Sequence, residues 1–142
     1  MTPEQKQLVR ETWKQVAPTA EEAADLFYCR LFDVDPSTRE LFRASDMFAQ
    51  RKKLLQTLGF AISSLDNLDV LMSMLQDLGR RHVGYGVTAK QYESVGVALL
   101  WALERSLGPG WTPAAASAWA EVYTLLSKVM RNAAADESPR SA

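Results

Sequence analysis

His82 is the only histidine in the chain, and it is the side chain with the most chemistry to offer. Leu75, Leu78 and His82 fall at i, i+3 and i+7, a helical spacing that puts the imidazole on an apolar face and away from solvent. Two uses fit such a residue. One is a core histidine hydrogen-bonded to a carbonyl. The other is a metal ligand in a setting where one neutral imidazole suffices, the axial position of a haem iron. The basic pair Arg80-Arg81 beside it suits carboxylates, although arginines near a helix end are common on any surface. A zinc site is excluded, because one His and one Cys cannot supply four ligands.

Two further polar groups lie at the margins of apolar stripes. Gln50 shares a helical face with Leu54 and Leu58, and Tyr28 sits beside the stripe Ala23, Phe27, Leu31. Each reads as a boundary residue or as a donor turned into a shared pocket. Phe42, just after a short turn, reads as core. Cys29 reads as a small packing residue and not a redox switch. A single cysteine makes no internal disulfide, which fits a reducing cytoplasm.

The elements that must position these residues are helices. Thr2-Pro3-Glu4-Gln5, Thr19-Ala20-Glu21-Glu22 and Thr88-Ala89-Lys90-Gln91 each read as a capping box at a helix start. Asp35-Pro36-Ser37 opens a short helical turn ending at Leu41-Phe42. A helix from about Met47 to Ser64 breaks at Asp66-Asn67, and the next carries Leu68, Leu71, Leu75, Leu78 and His82 to its end at Gly84 and Gly86. Gly108-Pro109-Gly110 is a strong break, and Thr112-Pro113 opens a last helix bearing Trp119, Val122, Tyr123, Leu126, Val129 and Met130. No segment alternates like a strand and no repeat is visible. The expectation is an all-α domain over residues 1–131, six helices plus a short one after the second, with 132–142 a flexible tail.

Composition removes other classes. The chain has 142 residues, 47% hydrophobic and 23% charged, enough for one domain with one core. Sixteen Lys and Arg against seventeen Asp and Glu leave no basic field for nucleic acid or anionic lipid. The longest apolar run, Val95 to Leu103, is nine residues, far short of the roughly 20 of a membrane span. The first residues are polar and carry no signal-peptide core.

The order Phe27-Tyr28, Asp35-Pro36, Leu41-Phe42, Gln50-Arg51-Lys52-Lys53-Leu54, Leu78-Gly79-Arg80-Arg81-His82 and Tyr92 resembles a bacterial single-domain globin, similar to the haem domain of flavohaemoglobins. The stretch Ala118-Trp119 to Val122-Tyr123 belongs to the same resemblance, which covers about residues 4–131. It implies a globin fold around haem b, iron protoporphyrin IX. It implies His82 as the iron ligand, Phe42 against the porphyrin, and Tyr28, Gln50 and Leu54 in the distal pocket. It places Val87, Tyr92 and Val95 on the proximal side, with Lys53 and Arg81 toward the propionates. With no second histidine a bis-imidazole iron is impossible, which leaves Tyr28, Gln50 or water for the sixth position.

The implied ligands are O2, NO and CO. The implied uses are NO dioxygenation to nitrate or non-catalytic O2 storage, delivery or sensing. A haem-free globin-like signalling module is the rival from another class. No flavin or nicotinamide reductase sequence follows the last helix, so turnover would draw electrons from a separate reductase. Flavohaemoglobins also place a glutamate late in the last helix, pairing with the proximal His and Tyr. Here the region reads Asn132-Ala133-Ala134-Ala135, which argues against a strongly electron-donating, peroxidase-like imidazole.

Overall fold

The computed structural model describes residues 1–137, and among them are six α-helices, three short 3-10 turns and no strand. Helix α1 (Pro3–Val16) opens as expected. The Thr2 hydroxyl accepts the Gln5 N–H, and the Gln5 side chain accepts the Thr2 N–H. Helix α5 (Ala89–Leu107) repeats the device with Thr88 and Gln91. The box expected at Thr19 does not form. Pro18 lies in a 3-10 turn over Ala17–Thr19, and the Thr19 hydroxyl donates back to the Val16 carbonyl. Helix α2 (Ala20–Val34) therefore starts without a side-chain cap.

A 3-10 turn (Pro36–Phe42) and helix α3 (Met47–Ser63) follow, α3 capped by the Asp46 carboxylate on the Phe48 N–H. Helix α4 (Leu68–Tyr85) stops at Gly86, whose φ of 78° places it in the left-handed region open to glycine. Helix α6 (Pro113–Glu137) begins where the Thr112 hydroxyl takes the Ala115 N–H. The flexible tail expected from Asn132 is corrected here: α6 continues to Glu137, with Ala133 buried. The remainder of that expected tail, 138–142, lies outside the described residues.

The core has two crossings, α2 on α5 and α4 on α6, with α1 laid over α5 and α6. Trp119 is wholly buried, and its indole N–H donates at 2.7 Å to the Thr12 hydroxyl, which in turn donates to the Leu8 carbonyl. Such a relay leaves no polar atom unpaired at the α1–α6 contact. Where α4 meets α6 the backbones nearly touch. A Cβ on Gly79 would lie 2.3 Å from the Met130 carbonyl oxygen, so only glycine fits. At Gly96 of α5 a Cβ would lie 2.7 Å from the Tyr123 ring. Helix α3 leans on α2 and α1, whereas α4 makes no extensive contact with α2 or α3 among the described residues.

One polar knot fixes the turn that ends in Phe42. The buried Asp35 carboxylate accepts from the Ser37 N–H and hydroxyl and from the Ser94 hydroxyl of α5 at 2.8 Å. Gln91 adds a bond to the Ser37 hydroxyl at 3.1 Å. The Ser37 and Ser94 hydroxyls hold the Asp35 carboxyl below its ordinary 3.8.

Two outcomes follow from this packing. Gly79→Ala should cost about 1–3 kcal/mol by overpacking, whereas Gly84→Ala, with open space around the site, should be neutral or gain up to about 1 kcal/mol of helix propensity. Equal denaturation midpoints for the two variants would contradict the α4–α6 contact. For Asp35 the native carboxyl titrates lower than the unfolded one. Its contribution is therefore complete above pH 3.8 and is lost as pH falls below that value. Asp35→Asn should lower stability at neutral pH and flatten the acid limb of a stability–pH curve. An unchanged acid limb would mean that the knot carries no linkage.

Candidate functional site

On α2, Tyr28 is buried, and its ring meets Phe27 edge-on at 4.8 Å and Phe42 edge-on at 5.3 Å between centroids. The turn anchored by Asp35 thus delivers Phe42 directly against Tyr28. Phe32, from the next turn of α2, lies against both rings and completes the cluster. Burial pushes the Tyr28 hydroxyl above its ordinary 10.0, while the Gln50 amide and the Arg51 charge pull it partly back. Gln50 of α3 therefore lies within reach of the Tyr28 hydroxyl. One turn on, half-buried Leu54 joins Phe27, Leu58 and Leu99 around an apolar cavity of about 20 Å³. Lys53, next to it, is exposed.

On α4, His82 is half-buried, and its Nδ1 lies 2.7 Å from the Leu78 carbonyl oxygen. A carbonyl only accepts, so Nδ1 carries the proton and donates it. In the neutral ring this leaves Nε2 with its lone pair free, the tautomer that a metal requires, fixed by the backbone bond common to metal-ligating histidines. Burial lowers the His82 pKa from its ordinary 6.5, the Leu78 carbonyl opposes the shift, and Arg81 adds to it. The carbonyl-bonded core histidine and the metal ligand are therefore one geometry.

Two aromatic rings flank the imidazole, one from α5 and one from the end of α4 itself. Tyr92 stacks on His82 at 6.1 Å and 30°, and Tyr85 lies at 5.5 Å. Val87 and Val95 are half-buried nearby in sequence. The Tyr92 hydroxyl is buried with no hydrogen-bond partner among the described residues. Asn132, where the expected glutamate region begins, is exposed. Arg81 is exposed and donates to Asp77 at 2.7 Å, so its guanidinium is engaged on the helix surface. Cys29 is exposed, not the packing residue expected, because it falls on the solvent side of α2.

The structure therefore assembles Tyr28, Phe42 and Gln50 around one hydroxyl, and His82 with Tyr92. It shows Lys53 and Arg81 at the surface. Three contributors escaped sequence reasoning. Gly79 sets the height of α4, Phe32 completes the aromatic cluster, and Tyr123 bonds the Tyr92 carbonyl through its hydroxyl. Gly79 had a signal, a glycine inside an otherwise uninterrupted helical pattern. The chemistry available is one imidazole nitrogen for a metal and, from Tyr28 and Gln50, two neutral hydrogen-bond donors in largely apolar surroundings.

Comparison with known proteins places the fold. The chain is 28% identical over 143 residues to Neuroglobin-1 of Oncorhynchus mykiss, covering 92% of this chain and 90% of that protein. It is 29% identical to Neuroglobin of Danio rerio over 138 residues, 88% of this chain and 87% of the relative. Its fold matches a hexacoordinated heme protein from an anhydrobiotic tardigrade with a TM-score of 0.84 at 20% identity, over 95% of this chain and 96% of the other. A model of the globin family, described as Globin, matches residues 25–130. With its all-helical fold and that match over most of its length, the chain belongs to the globin family.

Proposed function

We propose that this globin carries haem b, with His82 as its iron ligand, and binds O2 and other diatomic gases such as NO and CO. The observation that carries the reading is the His82 tautomer, with Nδ1–H given to the Leu78 carbonyl and Nε2 left free on a ring that burial keeps neutral. Haem iron, when bound, supplies reversible coordination of a diatomic gas. Phe42, Leu54, Val87, Tyr92 and Val95 offer apolar contact to the macrocycle, and Lys53 and Arg81 offer charge to its propionates. Arg81 must then share its guanidinium with Asp77.

Tyr28 and Gln50 set selectivity among gases. A bound O2 carries partial negative charge, and a neutral phenol and amide donate to it without importing water. Leu54 limits water at the same place. These residues suit O2 storage, delivery or sensing. They also suit NO dioxygenation in a cytoplasmic setting, in which NO, O2 and one electron from a separate reductase give nitrate. The resemblance to flavohaemoglobin haem domains supports that second use. NO consumption with and without an added reductase separates carrier from enzyme.

His82→Ala should abolish the Soret spectrum of a histidine-ligated haem, because no second imidazole exists to replace it. Retention of a normal five-coordinate ferrous spectrum would remove His82 as ligand, and no Soret band in the unaltered protein would favour a haem-free module.

Tyr28→Phe removes a hydroxyl and little volume. A hydrogen bond to a charged acceptor contributes about 1.5–3 kcal/mol, and bound O2 is only partly anionic. O2 dissociation should therefore speed up about tenfold, with CO dissociation changed far less. Gln50→Leu should act in the same direction and more weakly. Stopped-flow rates showing equal changes for O2 and CO would assign Tyr28 a steric role instead.

A further inference from the structure

Between α5 and α6, with Tyr92 of the His82–Tyr92 stack in its wall, lies an open cleft of about 490 Å³. Its wall includes Tyr92, Glu93, Tyr123, Ser127, Lys128 and Arg131. The cleft is within the size range of small-molecule sites. Lys128 and Arg131 have no ion-pair partner among the described residues. The Arg131 guanidinium lies over the Tyr92 ring, 5.8 Å from its centroid. Tyr92 itself is only 7% exposed, and its hydroxyl is buried without a hydrogen-bond partner among the described residues. A buried donor left unpaired is costly and rare in a folded protein.

We propose that this cleft is a binding site for a small organic carboxylate, and that its occupancy is transmitted to His82 through the Tyr92 ring. The charge of the wall selects the class. Two cations oppose the single Glu93 carboxylate, leaving one net positive charge, which suits a monoanion better than a phosphate dianion. Arg131 presents a planar fork matched to a carboxylate, and Lys128 adds a second charged donor from the same helix. Transmission needs only contact. Tyr92 forms the wall of the cleft on one side and stacks on the imidazole on the other. A ligand that draws Arg131 away from the Tyr92 ring shifts the surface on which His82 rests. Linkage then requires that gas binding and carboxylate binding alter each other by the same factor.

The transmission half rests on the proposed haem ligation; the cleft does not. Benzoate and acetate, with inorganic phosphate as the competing anion, are titrated into the haem-loaded protein by calorimetry. Benzoate should bind saturably, and more tightly than phosphate. Arg131→Gln and Lys128→Gln should each weaken it about tenfold, the loss of one charge-assisted bond. Glu93→Gln should tighten it. Resonance Raman spectra of the ferrous protein should show the iron–imidazole stretching band move on adding benzoate, and not in the Arg131→Gln variant.

Absence of saturable heat in the millimolar range, or variants indifferent to Arg131 and Lys128, would overturn the site. Tighter phosphate than benzoate would overturn the carboxylate class. Saturable binding with an unmoved iron–imidazole band would overturn the transmission. Failure of the chain to take up haem at all would strike the proposed function, while benzoate heat on the same chain would still decide the cleft.

Discussion

The geometry of this molecule hangs on the approach of two backbones at Gly79 and Met130. Among the described residues helix α4 has no extensive partner except α6, so that contact is the main one fixing the helix. The missing side chain at Gly79 lets the helices close to a separation that even a methyl group would forbid. His82 lies three residues further along the same helix, less than a turn away. Its position relative to α5, and hence its stacking on Tyr92, follows from the depth at which Gly79 seats α4. A helix tied along one side only leaves its other flanks open to something other than a neighbouring helix, and a prosthetic group is such a thing.

Most of the helical frame was legible in the sequence because its signals are local. Thr2, Thr88 and Thr112 are caps whose partners lie within three residues, and the structure forms all three. Thr19 shows the limit of that logic. Its box was complete in composition, but Pro18 had already committed the backbone to a 3-10 turn, and the hydroxyl found a carbonyl behind it. The end of α6 was misread for the related reason that a run of alanines beside polar residues looks like a tail. Ala133 is nonetheless buried, so the helix has packing to gain by continuing.

The site was legible where residue type and periodicity sufficed, and illegible where it depended on pairs far apart in the chain. His82 on an apolar face, and Gln50 on the face of Leu54, follow from helical spacing alone. The Asp35–Ser94 bond spans 59 residues and the Tyr123–Tyr92 bond spans 31, and no local pattern announces either. Arg81 is instructive in the opposite direction. Its proximity to His82 suggested a propionate partner, whereas the i,i+4 carboxylate of Asp77 is nearer and needs no ligand to be present. Cys29 is exposed although Tyr28 is buried, because adjacent residues on a helix point about 100° apart.

A chain with one imidazole divides its labour differently from one with two. On the proposed reading all nitrogen ligation falls to α4, and the donors assigned to the gas are a phenol and an amide. Whether Tyr28 acts as donor or as metal ligand depends on its proton, since the neutral phenol donates a hydrogen bond while the phenolate is the ligating form. Burial among Phe27, Phe32 and Phe42 raises the hydroxyl above 10.0 despite Gln50 and Arg51, so the neutral form prevails at physiological pH. Arg51 is held 3.9 Å from Asp25, which spends part of its charge outside the cluster. The same aromatic packing that excludes water from the hydroxyl thus keeps it a donor. On the proposed reading, Tyr28 would then serve a bound gas as a hydrogen-bond donor and would not compete with it for the metal.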